Sequence, residues 1–470
     1  MRNIKALGAI TLSLALAACD MAPKYVRPAL PVPASSPQGP AYGAADGAVD
    51  RAAIVPADTA WRDFFTDARL ARVIDTALAN NRDLRVALAN VEQARAQYRV
   101  QRADLLPGVT AGGNATYQDS PFSLAGSGRT DIYQAQVGIS AWEIDLFGRV
   151  RNLSKAAQEQ YFASVETRNA AQTALIAEVA NAWLTMAADQ ERLRIARDLE
   201  SAFGKTLELN RARFAKGIAS ELEVRQAQTS YDSARSTIAE TLTLVAQDQN
   251  ALNLLAGTTV AASDLPDALP AAGATIDNLP ADISSDVLLR RPDIAAAEHQ
   301  LRSANANIGA ARAAFFPNIS LTAAFGSLSL GLSNLFGSGS QFWSVAPSAS
   351  LPIFDFGKNK GNLAYARATY DAMLATYEKS VQTGFREVAD ALARRGTMTQ
   401  QMEAQTSQRD SARAAYTLSD ARFRAGVDPF LTTLDSQRAL FTAEQSLLAT
   451  RLTRATNMVE LYRAMGGGLK

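Results

Sequence analysis

The sequence predicts a mainly α-helical protein with a smaller β component of membrane type, built as a tandem repeat. Three observations predict this class. Long stretches lack glycine and proline, four short segments alternate apolar with polar residues, and a set of motifs recurs at one spacing along the 470 residues.

The helices come from the stretches without breakers. Gly and Pro are absent from Ala57 to Leu106, Arg149 to Phe203, Ile218 to Ala256 and Phe430 to Met465. These runs are rich in Ala, Leu, Arg, Gln and Glu, which favour helix. Unbroken, Arg149–Phe203 would be roughly 80 Å long at 1.5 Å per residue. Helices of that length need lateral partners along their whole course, so they read as coiled-coil-like.

The repeat has an offset of 209–210 residues. Asn81-Arg82-Asp83-Leu84 matches Arg291-Pro292-Asp293-Ile294. Arg102–Pro107 matches Arg312–Pro317, Ile144–Arg149 echoes Phe354–Lys358, and Ala212–Gly217 matches Ala421–Gly426. An internal repeat of this size means a duplicated structural unit. Each unit reads helix, strand, loop, strand, long helix, turn, long helix. The predicted divisions are a leader at 1–18, an extended linker at 19–56, repeat one at 57–265 and repeat two at 266–470.

The strands lie between the helices. Ile132–Leu146 and Phe342–Ile353 alternate clearly, Pro107–Tyr117 and Pro317–Phe325 more weakly. Their lengths suit tilted membrane strands with one apolar and one polar face. A half-buried soluble sheet fits the alternation equally well. If the sheet is in lipid, four strands cannot close a barrel, since the smallest have about eight. An open edge is not tolerated in hydrocarbon, so the barrel would have to be shared between chains. Trp142, Phe342 and Trp343 fit an interfacial aromatic belt, and buried contacts fit them as well.

The N-terminus reads as an export signal. Arg2 and Lys5 precede the apolar run Ala6–Leu16, which is too short for a permanent membrane helix. Leu16-Ala17-Ala18-Cys19 is a lipoprotein cleavage pattern, with the Cys19 sulfur as lipid acceptor. Cys19 is the only cysteine, so no disulfide framework exists. A lipid there tethers the chain without embedding it. Removing residues 1–18 takes away two basic residues and leaves a net charge near −1. No basic footprint for nucleic acid remains.

Several motifs carry a family resemblance along the whole mature chain. Pro23-Lys24-Tyr25-Val26-Arg27-Pro28 follows the cysteine. Trp61, Phe64-Phe65, Asp67 and Leu70 lead into Asn80–Leu84. Leu289-Arg290-Arg291-Pro292-Asp293-Ile294, Gly426-Val427-Asp428, Leu434–Arg438 and Ala464–Gly468 complete the set. In this order they resemble the OprM/NodT branch of the TolC-like outer-membrane efflux proteins. Asp20 departs from the expected pattern, resembling an inner-membrane retention signal of enterobacterial lipoproteins.

The resemblance implies a homotrimer in the outer membrane. Four strands per chain would make a twelve-stranded barrel, and the long helices an α-helical barrel in the periplasm. It implies a passive exit duct for drugs or other small toxic compounds. Its partners would be a periplasmic adaptor of the membrane-fusion type and an inner-membrane pump of RND type. A peptide or protein secretion duct is the alternative within the fold. A lipid-anchored periplasmic adaptor is the alternative outside it, but an adaptor should have one hairpin rather than two in tandem.

Two candidate sites follow. The turns Arg213–Leu222 and Arg422–Leu431 are hairpin turns, with Gly217 and Gly426 suited to left-handed helix caps and Pro429 to a helix start. The resemblance makes Arg213, Gly217, Leu222, Arg422, Gly426 and Leu431 the tips that meet the adaptor. Leu431, Asp435 and Arg438 share one helical face, and the resemblance makes them a periplasmic gate. The plain alternative is a solvated face with an ordinary Asp435–Arg438 pair. Repeat one has Leu222, Gln226 and Thr229 at the matching places, so the gate would belong to repeat two.

The sequence gives no reason to expect catalysis or a cofactor beyond the lipid. His299 is the only histidine, too little for a metal constellation. The eight methionines are scattered, and no nucleotide, hydrolase or zinc-protease pattern is present. Acidic pairs on the helices read as solvated faces. Asp145–Arg149 and Asp355–Lys358 read as strand-to-helix turns.

The anchor is directly testable. Cys19→Ser should abolish incorporation of radiolabelled palmitate. Exported by a different signal, this variant should still sediment with outer membranes if the strands are in lipid. A soluble periplasmic monomer would refute the membrane reading of the sheet.

Overall fold

The computed structural model describes residues 20–42, 59–120, 128–271, 273–277 and 284–469. The leader, Cys19, part of the linker and the middle of the first strand loop lie outside the described residues. The principal helices are α1 (Ala68–Asn80), α2 (Arg82–Ala103), α3 (Arg149–Ala215), α4 (Glu221–Ala256), α5 (Pro292–Ala313), α6 (Lys358–Arg424) and α7 (Phe430–Ala464). The strands are β1 (Val109–Ser120), β2 (Gly128–Glu143), β3 (Asn318–Ser329) and β4 (Gln341–Ser350).

The duplication is repeated in the elements. Helices α3 and α6 are both 67 residues long, and α4 and α7 are 36 and 35. Helix α3 runs through Gly204 instead of stopping before it. One interior glycine costs about 1 kcal/mol, which packing along so long a helix outweighs. The compact units nevertheless cut across the repeats. One combines Ala89–Glu166 with Ala296–Lys379 and the described residues up to Ala29. The other combines the described parts of Leu30–Leu88 with Thr167–Ala295 and Ser380–Lys470. Each therefore takes matching pieces of both repeats.

The first unit contains one antiparallel sheet in the order β1-β2-β3-β4. Val109, Ile139, Ala323 and Val345 form one row across it, and Ala111, Val137, Phe325 and Trp343 another. Directly opposed residues share a face, so these rows build one apolar face. The alternate rows Thr110, Gly138, Ala324, Ser344 and Asn114, Gln134, Leu328 build a more polar one. The apolar face is uncovered: Phe325 is 62% exposed and Trp343 75%. A soluble sheet would bury that face, whereas a lipid-facing one presents it. Trp343 lies on this apolar side, Phe342 on the other, and Trp142 is partly covered. Beyond a bulge between Ile139 and Trp142, β2 ends at Glu143, short of the expected Leu146.

The first described residues of the linker, Asp20 to Arg27, are docked. Asp20 Oδ1 accepts from Ala22 N at 3.0 Å and from Asn152 Nδ2 on α3 at 2.8 Å. Pro23 O accepts from Asn305 Nδ2 on α5 at 2.9 Å. The buried Glu298 of α5 takes the Tyr25 hydroxyl at 3.2 Å, Arg27 at 2.9 Å and Arg302 at 2.6 Å. Burial alone would raise the Glu298 carboxyl. Arg27 and Arg302 outweigh it and hold the carboxyl below its usual range. The motif Pro23–Pro28 is therefore a strap fitted to α5.

In the second unit, each repeat is closed by a hook. Asn81 and Arg291, both buried, precede α2 and α5. Asn81 Nδ2 donates to Leu255 O at 2.9 Å, and its Oδ1 caps α2 by accepting from Leu84 N at 2.8 Å. Arg291 Nη1 donates to Ala464 O at 2.9 Å, while Asp293 and Glu387 hold the rest of its guanidinium at 2.7–3.0 Å. Leu255 and Ala464 are equivalent residues at the ends of α4 and α7. The signature Arg291-Pro292-Asp293 is thus a helix start tied to another helix's end, with Pro292 at the favoured first position and an acid in the first turn.

The strap has one tight passage. A Cβ on Gly309 would sit 2.8 Å from Ala22 Cα and 2.7 Å from Asn152 Nδ2. Gly309→Ala should displace the strap, at a cost of about 1–3 kcal/mol. Limited proteolysis with mass spectrometry should then show earlier cleavage between residues 20 and 30, with a lower thermal midpoint. Unchanged protection would show that the strap does not depend on this contact.

Candidate functional site

The hairpin turns are built by the expected left-handed caps. Gly217 has φ +70° and Gly426 +75°, a region open to glycine at little cost. Gly217 N bonds Phe214 O at 2.8 Å and Ile218 N bonds Arg213 O at 2.9 Å. Gly426 N bonds Phe423 O and Val427 N bonds Arg422 O, both at 2.9 Å. Each pair of bonds is a Schellman motif that satisfies helix-end carbonyls.

The two turns then diverge. Arg422 forks onto Asp428 with contacts of 2.7 and 2.8 Å, and this partner holds the Asp428 carboxyl below its usual range. Repeat one has Ala219 there, and Arg213 lies instead over the Phe423 ring at 4.8 Å. Helix α4 starts from Ser220, whose hydroxyl accepts from Glu223 N at 3.3 Å. Helix α7 starts after Pro429, which occupies the cap position without a side-chain bond.

Below the turns the hairpins share one apolar cluster. Phe203, Leu207, Ala227 and Ala234 of the first pack with Phe423, Phe430 and Leu434 around the second. Thr433 Oγ1 donates to Ser419 O at 3.1 Å. Close by in sequence, Asn210 is fully buried with neither amide atom partnered, and the buried Gln437 has an unpartnered Nε2. An orphaned buried polar group costs about 1–3 kcal/mol, so this end of the hairpins is not at its stability optimum.

Leu431, Asp435 and Arg438 are all exposed on α7, on the shared face that their spacing predicts. The in-chain Asp435–Arg438 pair is not formed. Arg438 Nη2 reaches Ser230 Oγ on α4 at 3.4 Å, and Asp435 has no ion pair among the described residues. The three side chains share one exposed face of α7. Of the tip residues, Leu222 and Leu431 are exposed, while Arg213 and Arg422 are held as described.

One group escaped the sequence reading. Asp189 on α3 is buried beside Asp248 on α4, and Arg192 pairs with Asp189 while its Nε donates to Gln445 Oε1 on α7 at 3.2 Å. Burial, then the Asp189 carboxylate, push Asp248 up to about 6 from its ordinary 3.8. Acidic residues are common along these helices, and only the packing of three helices distinguishes this pair. Among the described residues no metal-binding cluster occurs, and no helix is long and apolar enough to cross a membrane.

The family model described as outer membrane efflux protein matches twice, over residues 73–258 and 283–467. The toluene efflux pump outer membrane protein TtgC of Pseudomonas putida is 45% identical over 456 residues, covering 96% of this chain and 93% of that protein. The solvent efflux pump outer membrane protein SrpC of Pseudomonas putida is 46% identical over 458 residues, covering 97% and 96%. OprJ of Pseudomonas aeruginosa is 41% identical over 465 residues, covering 98% and 95%. Among solved structures, the open state of the Neisseria gonorrhoeae MtrE outer membrane channel has a TM-score of 0.86 at 39% identity, covering 96% of this chain and 99% of that one. A membrane protein from Pseudomonas aeruginosa has a TM-score of 0.89 at 40% identity, covering 95% and 100%.

The acid pair sets a pH dependence. Asp248 has a higher pKa folded than unfolded, so its neutral form is favoured by folding. Its contribution is therefore present below about pH 4 and is lost as pH rises to about 6. Asp248→Asn should flatten that slope and stabilise the fold at pH 7.5 by about 1 kcal/mol after allowance for its partial exposure, seen as a higher thermal midpoint. Calorimetry in detergent from pH 4.5 to 7.5 checks this, and an unchanged slope would remove Asp248 as its source.

Proposed function

The chain belongs to the outer membrane efflux protein family, and from that premise we propose that it is the exit duct of a tripartite efflux system for small toxic compounds. It is an outer-membrane channel component, and it works by enclosing a path instead of by chemistry. The observation that carries this is the sheet: four strands, an uncovered apolar face, a more polar opposite face and two open edges. In hydrocarbon such edges must be paired. Three chains would supply twelve strands, a barrel size that can enclose a path. The long helices of the three chains would continue that path through the periplasm.

The cargo class is supported by the relatives TtgC and SrpC, whose names specify toluene and solvent. Small amphiphilic or apolar toxicants are the corresponding class here. The partners would be a periplasmic adaptor and an inner-membrane pump of RND type. The tips around Gly217 and Gly426 would meet the adaptor, and a diacylglycerol on Cys19 would tether the N-terminus. Deletion of the gene followed by a toxicity panel of solvents, dyes and antibiotics tests the cargo. Unaltered tolerance to all of them, with a secreted peptide lost from the medium, would favour a secretion duct.

The gate would be Leu431, Asp435 and Arg438. Around a three-fold axis, three Asp435 carboxylates would repel unless each meets a cation. Arg438 of a neighbouring chain is the available one, since neither residue spends its charge on the other within the chain. Partial desolvation at a narrow axis makes such pairs count for more than one surface pair. Opening would exchange those contacts for others.

In planar bilayers, Asp435→Ala with Arg438→Ala should raise single-channel conductance several-fold. Pump-deficient cells carrying it should become sensitive to vancomycin. Gln226→Ala at the matching place in repeat one should change little. Trimeric double variants with wild-type conductance would reduce these residues to a solvated helix face.

A further inference from the structure

We propose that Asn210 of α3 and Gln437 of α7 form a latch: they bond to each other when the periplasmic mouth is open and are parted in the present structure. This rests on the reading of Leu431, Asp435 and Arg438 as the gate and adds what holds that gate open.

The argument begins with two buried amides that have nothing to bond. Asn210 is 0% exposed, and both of its amide atoms lack a partner. Gln437 is 3% exposed, and its Nε2 lacks one. Buried polar groups in folded proteins are nearly always paired, because an unmade bond leaves the desolvation cost uncompensated. The two groups are complementary, since Asn210 Oδ1 can accept from Gln437 Nε2. They also flank the same apolar cluster. Phe203, Leu207 and Asn210 lie on one face of α3 at i, i+4 and i+7, and Phe430, Leu434 and Gln437 lie on one face of α7 at the same spacing. The first two of each set belong to the cluster that the hairpins share.

The duplication shows which bond is missing. In the second hairpin Thr433 Oγ1 donates to Ser419 O at 3.1 Å and ties α7 to α6. The equivalent residues of the first hairpin are Val224 and Asn210. Val224 has no hydroxyl, so that tie is lost, and an amide stands where the second hairpin has a serine. Asn210 therefore does not serve its own hairpin and is available to the other.

The polar contacts that join the hairpins beside this cluster are weak. Arg438 Nη2 reaches Ser230 Oγ at 3.4 Å, and Arg213 lies over the Phe423 ring at 4.8 Å. Apolar burial is non-directional, so the cluster tolerates a shift of one hairpin against the other. Gln437 and Arg438 are consecutive. A turn of α7 that brings Gln437 to Asn210 moves Arg438 off Ser230, so latch and gate shift together.

A double-mutant cycle tests the latch. The background is Asp435→Ala with Arg438→Ala, whose raised conductance in planar bilayers reports an opened mouth. Light scattering selects variants that remain trimeric. Asn210→Leu and Gln437→Leu should each lower the open fraction by roughly five-fold or more, the factor that one lost buried hydrogen bond represents. Together they should lower it no further than either alone, because they remove one contact. Asn210→Gln with Gln437→Asn exchanges the partners and should restore it. Asn210→Leu should also raise the thermal midpoint in detergent, since it removes an orphaned group from the present state. If an ordered water satisfies Asn210 instead, the midpoint falls and any losses multiply, and the latch is refuted. Unchanged open fractions refute it too and leave the gate standing. A background with wild-type conductance overturns the gate reading and the latch with it.

Discussion

A backbone N–H or C=O left unpaired in hydrocarbon costs several kcal/mol, and β1 and β4 each present a row of such groups. No rearrangement within the chain removes both edges, because four strands are too few to close on themselves. The sheet is therefore complete only as part of a larger ring. The uncovered apolar face makes the same demand from another direction. Phe325, Trp343 and Val345 are exposed in a chain that buries comparable side chains elsewhere. Membership of an outer-membrane efflux family satisfies both demands, since lipid covers the face and further copies cover the edges.

Duplication supplies the means, and the copies have drifted in chemistry while keeping geometry. Asn81 and Arg291 hook equivalent carbonyls, Leu255 and Ala464, one with an amide and the other with a buried guanidinium. The second hook needs Asp293 and Glu387 as counter-charges, because an isolated buried cation would be costly. The hairpin turns drifted in the same way. Both use a left-handed glycine, but only the second has an arginine forked onto an aspartate. In a ring of such subunits the two kinds of turn would alternate, and the charged face of α7 has the uncharged Leu222, Gln226 and Thr229 at the matching places of α4. Repeat one thus supplies the more neutral half of the proposed mouth.

Much of the candidate site was legible in the sequence. Gly217 and Gly426 stand after helix-forming runs, and a left-handed cap is the common use of glycine there. The spacing of Leu431, Asp435 and Arg438 places them on one face because a helix returns to itself every 3.6 residues. The orphaned amide of Asn210 and the Asp189–Asp248 pair were not legible. Each is an ordinary polar residue in a helical run. Its burial depends on which side of a neighbouring helix it meets, and that is a property of packing. The docking of Asp20 through Arg27 was hidden for the same reason: a proline-rich segment reads as a linker until α5 provides the acid that holds it.

The sequence by itself determined the kinds of element, their order and their duplication, and it made a shared sheet necessary if the strands lie in lipid. These depend on periodicity, breakers and repeat spacing, which are local along the chain. The tertiary structure decided which face of the sheet is apolar across strands, where the repeats are hooked, and that compact units mix the repeats. It also decided that Asp435 and Arg438 do not pair within the chain. The physical reason is range. A helix or strand forms from interactions a few residues apart, whereas register, burial and tertiary contacts join residues such as Asn81 and Leu255 or Ser230 and Arg438, far apart along the chain, which only folding brings into contact.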